Sequence, residues 1–249
     1  MVNYPGVFSL VALLALWLMA QLGAWLRRLW PLKDDARDNF NIVLAACLTM
    51  LGLLIGFSFS MALSRYDLRK NDEAAEANAI GTEYVRADLL PAPNAAAVRA
   101  QLRSYLDRRI MFYESRNEDE LREIDAGTAR LQGQLWSAVQ VPAVAQPSVT
   151  IALAVAGMND VLNSQGYTQA AWWNRIPAAA WTLMVAMAVC CNLLVGYGEH
   201  SARASAGLLL ILPVVVAMSF LLIADIDSPR TGFIHVVPQN LVNLAGGLR

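Results

Sequence analysis

The sequence predicts an all-α integral membrane protein with four transmembrane helices and a helical extramembrane domain. First, 57% of the 249 residues are hydrophobic and only 16% are charged, whereas soluble domains are about half apolar and about a quarter charged. Second, the apolar residues concentrate in four nearly uncharged runs. Third, the charged region between the second and third runs has helical periodicity, and no alternating strand pattern longer than a few residues occurs anywhere.

Each of the four runs is long enough to cross a bilayer, whose core of about 30 Å takes about 20 apolar residues in a helix. The runs cover residues 7–26, 42–63, 176–195 and 206–224. We interpret the first as a retained anchor rather than a cleaved signal peptide, because residues 1–6 carry no positive side chain. The lipid bilayer is therefore an expected partner. Basic residues near the spans are almost balanced between the two sides, so the positive-inside rule does not fix the orientation.

The spans divide the chain into four predicted segments. Residues 1–63 hold the first two transmembrane helices, 64–174 form the extramembrane domain, 175–226 hold the last two transmembrane helices, and 227–249 form a C-terminal tail.

Helical periodicity continues through the extramembrane domain. Its first helix continues the second span out of the bilayer. Asn94 is predicted to cap the next helix, whose inner face would be Val98, Leu102, Tyr105, Leu106, Ile110 and Tyr113. Asn117 begins a third helix, whose inner face would be Leu121, Ile124, Leu131 and Leu135. Pro142 and Pro147 are expected to bracket the break that follows.

The end of this domain is apolar but too short for a fifth span. We interpret 149–162 as a helix buried against the membrane domain. Charged residues in the domain are expected to pair locally on solvated faces, as Arg69 with Glu73 and Glu118 with Arg122. An aromatic belt at the entry to the third span is expected from Trp172, Trp173 and Trp181.

The residues that usually carry catalysis or bind metals are scarce. The three cysteines lie inside apolar runs without C-x-x-C spacing, which is typical of packing residues: Cys47, Cys190 and Cys191. His200 and His235 are the two histidines, and the fourth span separates them. We therefore expect no enzyme, no metal and no cofactor. An enzyme acting on lipid would need a distant acid–base pair such as Asp160 with His200.

Nucleic acid is not an expected partner. Nineteen basic and twenty acidic residues give a formal net charge of −1, so the chain has no basic field for a phosphate backbone.

The second span carries two features at a spacing of four residues. Gly52, Gly56 and Ser60 form a ridge of small residues where another helix can approach closely. Packing within one subunit is the ordinary explanation of such a ridge. Beside it runs a stripe of three larger side chains, Thr49, Leu53 and Phe57. Such a stripe is usually core, but in a helix that lines a pore it would form stacked rings, and apolar rings gate conduction by dewetting.

These residues also carry a resemblance to a known family. Gly56-Phe57 followed by Arg65-Tyr66 looks like the G-F…R-W pattern in the pore-lining helix of bestrophins. A larger set of matches is similar to the bacterial bestrophin-like domain family of membrane proteins. It comprises 57–62, 64–66, 76–82, 86–91, Asn159-Asp160, Arg175-Ile176-Pro177 and Asp227-x-Pro229-x-x-Gly232. Together these matches extend over roughly residues 40–240.

The resemblance implies a homo-oligomeric, pentameric anion channel in the bacterial cytoplasmic (inner) membrane, with chloride or other small anions as partners. In bestrophins the equivalent helix lines the pore with three hydrophobic rings. Phe57 matches one ring position, Leu53 keeps its apolar character, and Thr49 replaces an apolar residue, so the outer ring would be wetter. The acidic calcium clasp of animal bestrophins has no counterpart after Asp225 and Asp227, so calcium activation is not expected.

Five polar residues in the matching stretches are candidates for the pore mouth or for structural roles: Arg65, Asn78, Thr82, Asn159 and Asp160. Arg65 either snorkels to the interface or draws anions to the pore. Asn78 and Thr82 lie one turn apart, and a bond to a neighbouring helix is favoured over lining a vestibule. Asn159 and Asp160 interrupt an apolar helix, and Asp160 is expected to pair with Arg65 or Arg175.

A second function from another class stays open. The scarcity of catalytic and ligand-binding residues also fits a non-conducting membrane scaffold or sensor whose helical domain binds a partner protein.

Overall fold

The structure is a computed structural model and describes residues 4–199 and 207–248. Its α-helices are α1 (Pro5–Leu29), α2 (Arg37–Arg86), α3 (Ala92–Glu114), α4 (Glu118–Ala145), α5 (Val149–Trp173), α6 (Ala178–Gly198), α7 (Leu208–Asp227) and α8 (Gln239–Gly247). Short 3-10 helices cover Asp34–Ala36 and Ala87–Leu89. No strand occurs within these two ranges, which confirms the predicted all-α class.

Four helical segments are long and apolar enough to cross a membrane, as the sequence predicts. They are Pro5–Leu29, Arg37–Leu89, Val149–Gly198 and Leu208–Asp227. The second predicted span does continue without interruption into the extramembrane region, because α2 is one helix of 50 residues. Residue 206, where the fourth span is predicted to begin, lies outside the described residues.

The chain folds as two compact units. Unit 1 is formed by the described residues of Met1–Arg65 and Arg175–His235, and unit 2 by those of Tyr66–Asn174 and Val236–Arg249. The predicted tail, 227–249, is thus shared between the two units.

In unit 1, α1 packs closely against α6 at two glycines. A Cβ added at Gly196 would meet the carbonyl oxygen of Ala20 and lie 2.7 Å from its carbonyl carbon. A Cβ added at Gly23 would meet the carbonyl oxygen of Leu193 and lie 2.7 Å from Tyr197 N. The two backbones approach this closely only because neither glycine carries a side chain.

Two buried aspartates at the end of α7 bind backbone amides of other segments. The Asp225 carboxylate accepts hydrogen bonds from Phe233 N and Ile234 N, both at 2.8 Å, and so holds the loop after α7. The Asp227 carboxylate accepts from Ile176 N at 3.1 Å and so holds the residues just before α6. A Cβ at Gly232 would meet the Asp225 backbone oxygen. The first and last residues of the Asp-x-Pro-x-x-Gly pattern therefore have structural roles in unit 1.

Unit 2 has a continuous hydrophobic core made by α2, α3, α4, α5 and α8. The predicted inner faces of α3 and α4 are confirmed, with these residues almost fully buried: Val98, Leu102, Tyr105, Leu106, Ile124 and Leu135. The α8 helix, which the sequence analysis did not predict, adds Leu241 and Ala245 to this core.

Several local predictions for unit 2 are wrong. Asn94 does not cap α3, because the helix begins at Ala92 and a proline occupies its first turn, where a proline's fixed φ favours helix initiation. Pro142 does not mark a break, because α4 runs through it to Ala145. By contrast, Asn117 does cap α4, since its side chain accepts a hydrogen bond from Asp119 N.

Two predictions about side-chain environment also need correction. Arg122 forms an ion pair with Asp119, one turn away on the exposed surface, rather than with Glu118. Trp172 does not join an interfacial belt, because it packs in the core of unit 2 against Phe112 and Tyr113 at ring-centroid distances of 5.1 and 5.4 Å.

The predicted solvated setting of Arg69 and Glu73 is wrong as well, since each residue is only 1% exposed. The Glu73 carboxylate accepts hydrogen bonds from Asn240 N at 2.9 Å and Leu241 N at 3.0 Å. Both amides belong to the first turn of α8, where a negative charge also interacts favourably with the helix dipole. Glu73 thus holds α8 onto unit 2.

A second buried carboxylate pairs with an arginine. Glu76 and Arg109 are fully buried and form an ion pair, and Thr168 donates a hydrogen bond to Glu76 at 3.1 Å. Burial is the largest single influence and lowers the pKa of Arg109, but the charge and hydrogen bond of Glu76, together with Tyr105 and Tyr113, outweigh burial and leave this pKa raised. Such a pair costs desolvation but fixes which faces of the helices meet.

Candidate functional site

The predicted stripe lies on one exposed face of α2. Phe57 is 67% exposed and Leu53 is 52% exposed, and Thr49 is exposed as well. The opposite face is buried, with Leu51 at 2% and Ala62 at 0% exposure. Within the described residues of one chain, the stripe is therefore available to lipid, solvent or another copy.

The Thr49 hydroxyl is already committed within its own helix. It donates a hydrogen bond to the carbonyl oxygen of Ala45 at 2.9 Å. Toward its exposed side the residue offers an acceptor oxygen and a methyl group, but no free O–H donor. The outer end of the stripe is thus polar without being able to donate a hydrogen bond to an anion.

The ridge of small residues is also open. A Cβ added at Gly52 or Gly56 would meet no described atom within 4 Å, and Ser60 is exposed. Close packing within the chain takes place instead between α1 and α6, at Gly23 and Gly196. The role of Gly52, Gly56 and Ser60 in packing against another helix stays a prediction.

Further along α2, the predicted polar residues lie on the surface. Asn78 and Thr82 are both exposed and one turn apart. Arg65 is half-buried and approaches the Met61 sulfur at 3.5 Å. The roles of these residues as pore mouth or as structural contacts stay predictions.

On α5, Asn159 and Asp160 are exposed. The charge of Asp160 acts on Glu83 of α2. The predicted pairing of Asp160 with Arg65 or Arg175 stays a prediction.

The sequence analysis missed the buried acids of α2. Glu73, Glu76 and Glu83 are 1%, 0% and 0% exposed. A signal was present, because these positions follow the three- and four-residue spacing of the buried side of the helix. The prediction of a solvated face rested on the charge of these side chains and not on their spacing.

Among residues 4–199 and 207–248, no group of three or more His, Cys, Asp or Glu side chains is placed to hold a metal ion. His235 lies near the carbonyl oxygen of Phe233, at 3.1 Å from Nδ1. His200, named above with Asp160, lies outside the described residues.

Comparison with known proteins assigns the chain to a family. The Bestrophin-like domain model matches residues 6–241. No curated protein sequence matches the chain. Among solved structures, the crystal structure of a bacterial bestrophin homolog from Klebsiella pneumoniae, phased by Zn-SAD, superposes with a TM-score of 0.64 at 15% identity, covering 96% of this chain and 98% of the other.

Two single-substitution variants of the same Klebsiella pneumoniae homolog give similar values. One has a TM-score of 0.65 at 16% identity and covers 96% of each chain. The other has a TM-score of 0.64 at 14% identity and covers 95% of this chain and 98% of the other. At such low identity these likenesses concern the fold alone, but the family model spans nearly the whole sequence. The chain therefore belongs to the Bestrophin-like domain family.

Proposed function

We propose that the chain is the subunit of a homo-oligomeric anion channel, assembled from five copies in the bacterial cytoplasmic membrane, with α2 lining the pore. Membership of a channel family and four apolar helices support the general class. The observation that carries the specific proposal is the exposure of Phe57, at 67%, on a membrane helix and at the position that resembles a bestrophin ring residue.

The chemistry of the stripe suits a gate that works by dewetting. Copies of Leu53 and Phe57 around an axis would form two apolar rings, and a narrow apolar ring holds back water and ions until it widens. Thr49 would add a polar ring that offers acceptor oxygens. Because acceptor oxygens do not attract anions, selectivity for chloride would have to come from positive charge elsewhere, and Arg65 is our candidate for it.

The ridge beside the stripe supports assembly through α2. Gly52 and Gly56 leave open space on an exposed face, and glycines let a second helix approach to backbone contact. In the proposed assembly, neighbouring copies of α2 would pack along this ridge.

Planar-bilayer recording of the purified full-length protein tests the proposal. We expect chloride currents in the wild type, and a larger conductance in Phe57→Ala, because removing the ring widens and wets the constriction. Phe233→Ala is the matched control, since Phe233 is 92% exposed and lies outside α2. Silence in chloride, or identical currents from wild type and Phe57→Ala, would contradict the proposal.

The reversal potential in a chloride gradient tests the anion preference separately. A reversal potential near the equilibrium potential of the cation would support a channel but contradict its selectivity for anions. A monomeric mass in mild detergent, together with one co-purifying partner protein, would favour the scaffold or sensor over the channel.

A further inference from the structure

Glu83 is a buried carboxyl group without a hydrogen-bond partner. Its exposed fraction is 0%, and neither carboxyl oxygen has a partner among the described residues. The residue belongs to unit 2 and lies about 30 Å along α2 from the end of the predicted span at Leu63, at about 1.5 Å per residue. It is thus a buried titratable group outside the membrane, and the proposed conduction does not use it.

The carboxyl group fits against α5 because that helix has a glycine there. A Cβ added at Gly157 would collide with Glu83 Oε2 and would lie 2.7 Å from Arg86 Nη1. Gly157 is itself buried. The contact between α2 and α5 is therefore closed directly over the carboxyl group, and an ionised carboxylate there would lose hydration without gaining hydrogen bonds.

The charges facing Glu83 partly cancel. Arg86, one turn along α2, favours the ionised form, whereas Asp160 on α5 opposes it. Asp88, in the 3-10 helix that follows α2, is already paired with Arg99 of α3. Burial is the largest influence and, with Asp160, raises the pKa of Glu83 to about 8.

We propose that Glu83 is a proton-binding site at the contact between α2 and α5, occupied when this contact is closed and emptied when it opens. In the closed contact the neutral carboxyl group loses less hydration free energy than the ionised carboxylate would. When the proton leaves, the carboxylate is stabilised by water, which reaches it only if α5 moves away from α2. The contact is thereby sensitive to pH between the ordinary pKa of glutamate and about 8.

The direction of the effect follows from linkage. Because the pKa of Glu83 is raised in the folded state, the closed contact binds the proton more tightly than the open one. Its stabilisation is complete below the ordinary pKa of glutamate and is lost as pH rises through about 8. Between these two pKa values the equilibrium for opening should increase about tenfold per pH unit, and above about pH 8 it should level off, because the carboxyl group is then ionised in both states.

Hydrogen exchange of the full-length protein in detergent, followed by mass spectrometry, measures this opening. After correction for the intrinsic exchange rate, the protection of α5 around Gly157 should fall about tenfold per pH unit between the ordinary pKa of glutamate and about pH 8 in the wild type, and level off above it. It should stay constant with pH in Glu83→Gln. Glu123→Gln, which changes an exposed carboxyl on α4, should behave as the wild type. Equal pH dependence in wild type and Glu83→Gln would overturn the proposal.

A second variant decides the matter if Glu83→Gln does not fold. Asp160 is exposed, so Asp160→Asn should be tolerated, and it removes a charge that holds the proton on Glu83. The pH at which opening levels off should then shift to lower values. Levelling off at the same pH as in the wild type would also overturn the proposal.

Discussion

Replacing Gly196 with alanine should destabilise unit 1 through one specific clash. The added Cβ would lie 2.7 Å from the carbonyl carbon of Ala20, whereas ordinary contact begins at 3.4 Å. The atoms it meets belong to the backbone of α1, so no side-chain rotation relieves the overlap, and α1 must move away by roughly 0.7 Å or more. Overpacking of this kind costs about 1–3 kcal/mol.

The substitution also stabilises the helix slightly, because alanine is more favourable than glycine inside a helix by about 0.5–1 kcal/mol. This gain reduces the cost at Gly196 but does not offset it. At Gly56 the same gain comes without any described atom within 4 Å of the new Cβ. The two substitutions therefore separate packing inside the subunit from packing against another copy.

The assay is thermal unfolding in mild detergent combined with size-exclusion chromatography. Gly196→Ala should lower Tm by several degrees. Gly56→Ala should leave Tm of the subunit unchanged or slightly raised, and should weaken the oligomer if α2 packs along its ridge. A Tm for Gly196→Ala equal to that of the wild type would refute the reasoning, and so would an equal loss in both variants.

Three further predictions concern the buried charges. Glu73→Ala removes the acceptor of hydrogen bonds that contribute about 1.5–3 kcal/mol each to stability. The amides of α8 should therefore exchange at least about tenfold faster, as measured by mass spectrometry. Unchanged exchange would show that Glu73 does not hold α8 in place. Arg109→Ala leaves the Glu76 charge buried and should lower the free energy of unfolding by about 3–5 kcal/mol. A loss of less than about 1 kcal/mol, as expected for a solvated pair, would contradict this prediction. Asp225→Asn leaves one of the two backbone amides without an acceptor, because the new side-chain nitrogen can only donate, and should cost about 1–3 kcal/mol. The loop after α7 should then be cleaved by proteases faster than in the exposed control Asp67→Asn.

The architecture could be predicted because composition and periodicity determine it locally. Four apolar runs gave four membrane helices, and the inner faces of α3 and α4 followed from the spacing of residues such as Leu102 and Leu135. The cap at Asn117 was also predictable, since it depends on an amide two residues away.

Features that depend on distant partners could not be predicted in this way. Glu73 looked solvated because its partners are the amides of α8, which lie 167 and 168 positions later in the chain. Glu83 looked ordinary for the same reason, because Gly157 of α5 covers it. For the candidate pore, the sequence predicted the stripe at Phe57, but its exposure depends on which faces of α2 the other helices cover.

The docking of α8 also bears on the order of events during synthesis. Val236, Leu241 and Ala245 belong to the core whose other members lie between residues 77 and 172, and Glu73 needs amides from the same segment. Most of unit 2 therefore emerges from the ribosome well before the residues that complete its core. Until residues 236–248 are made, the apolar surface that they cover is exposed, and such surface makes an incomplete chain prone to aggregation. A nonsense mutation just before Val236 should therefore reduce the abundance of the protein, in addition to removing a short helix.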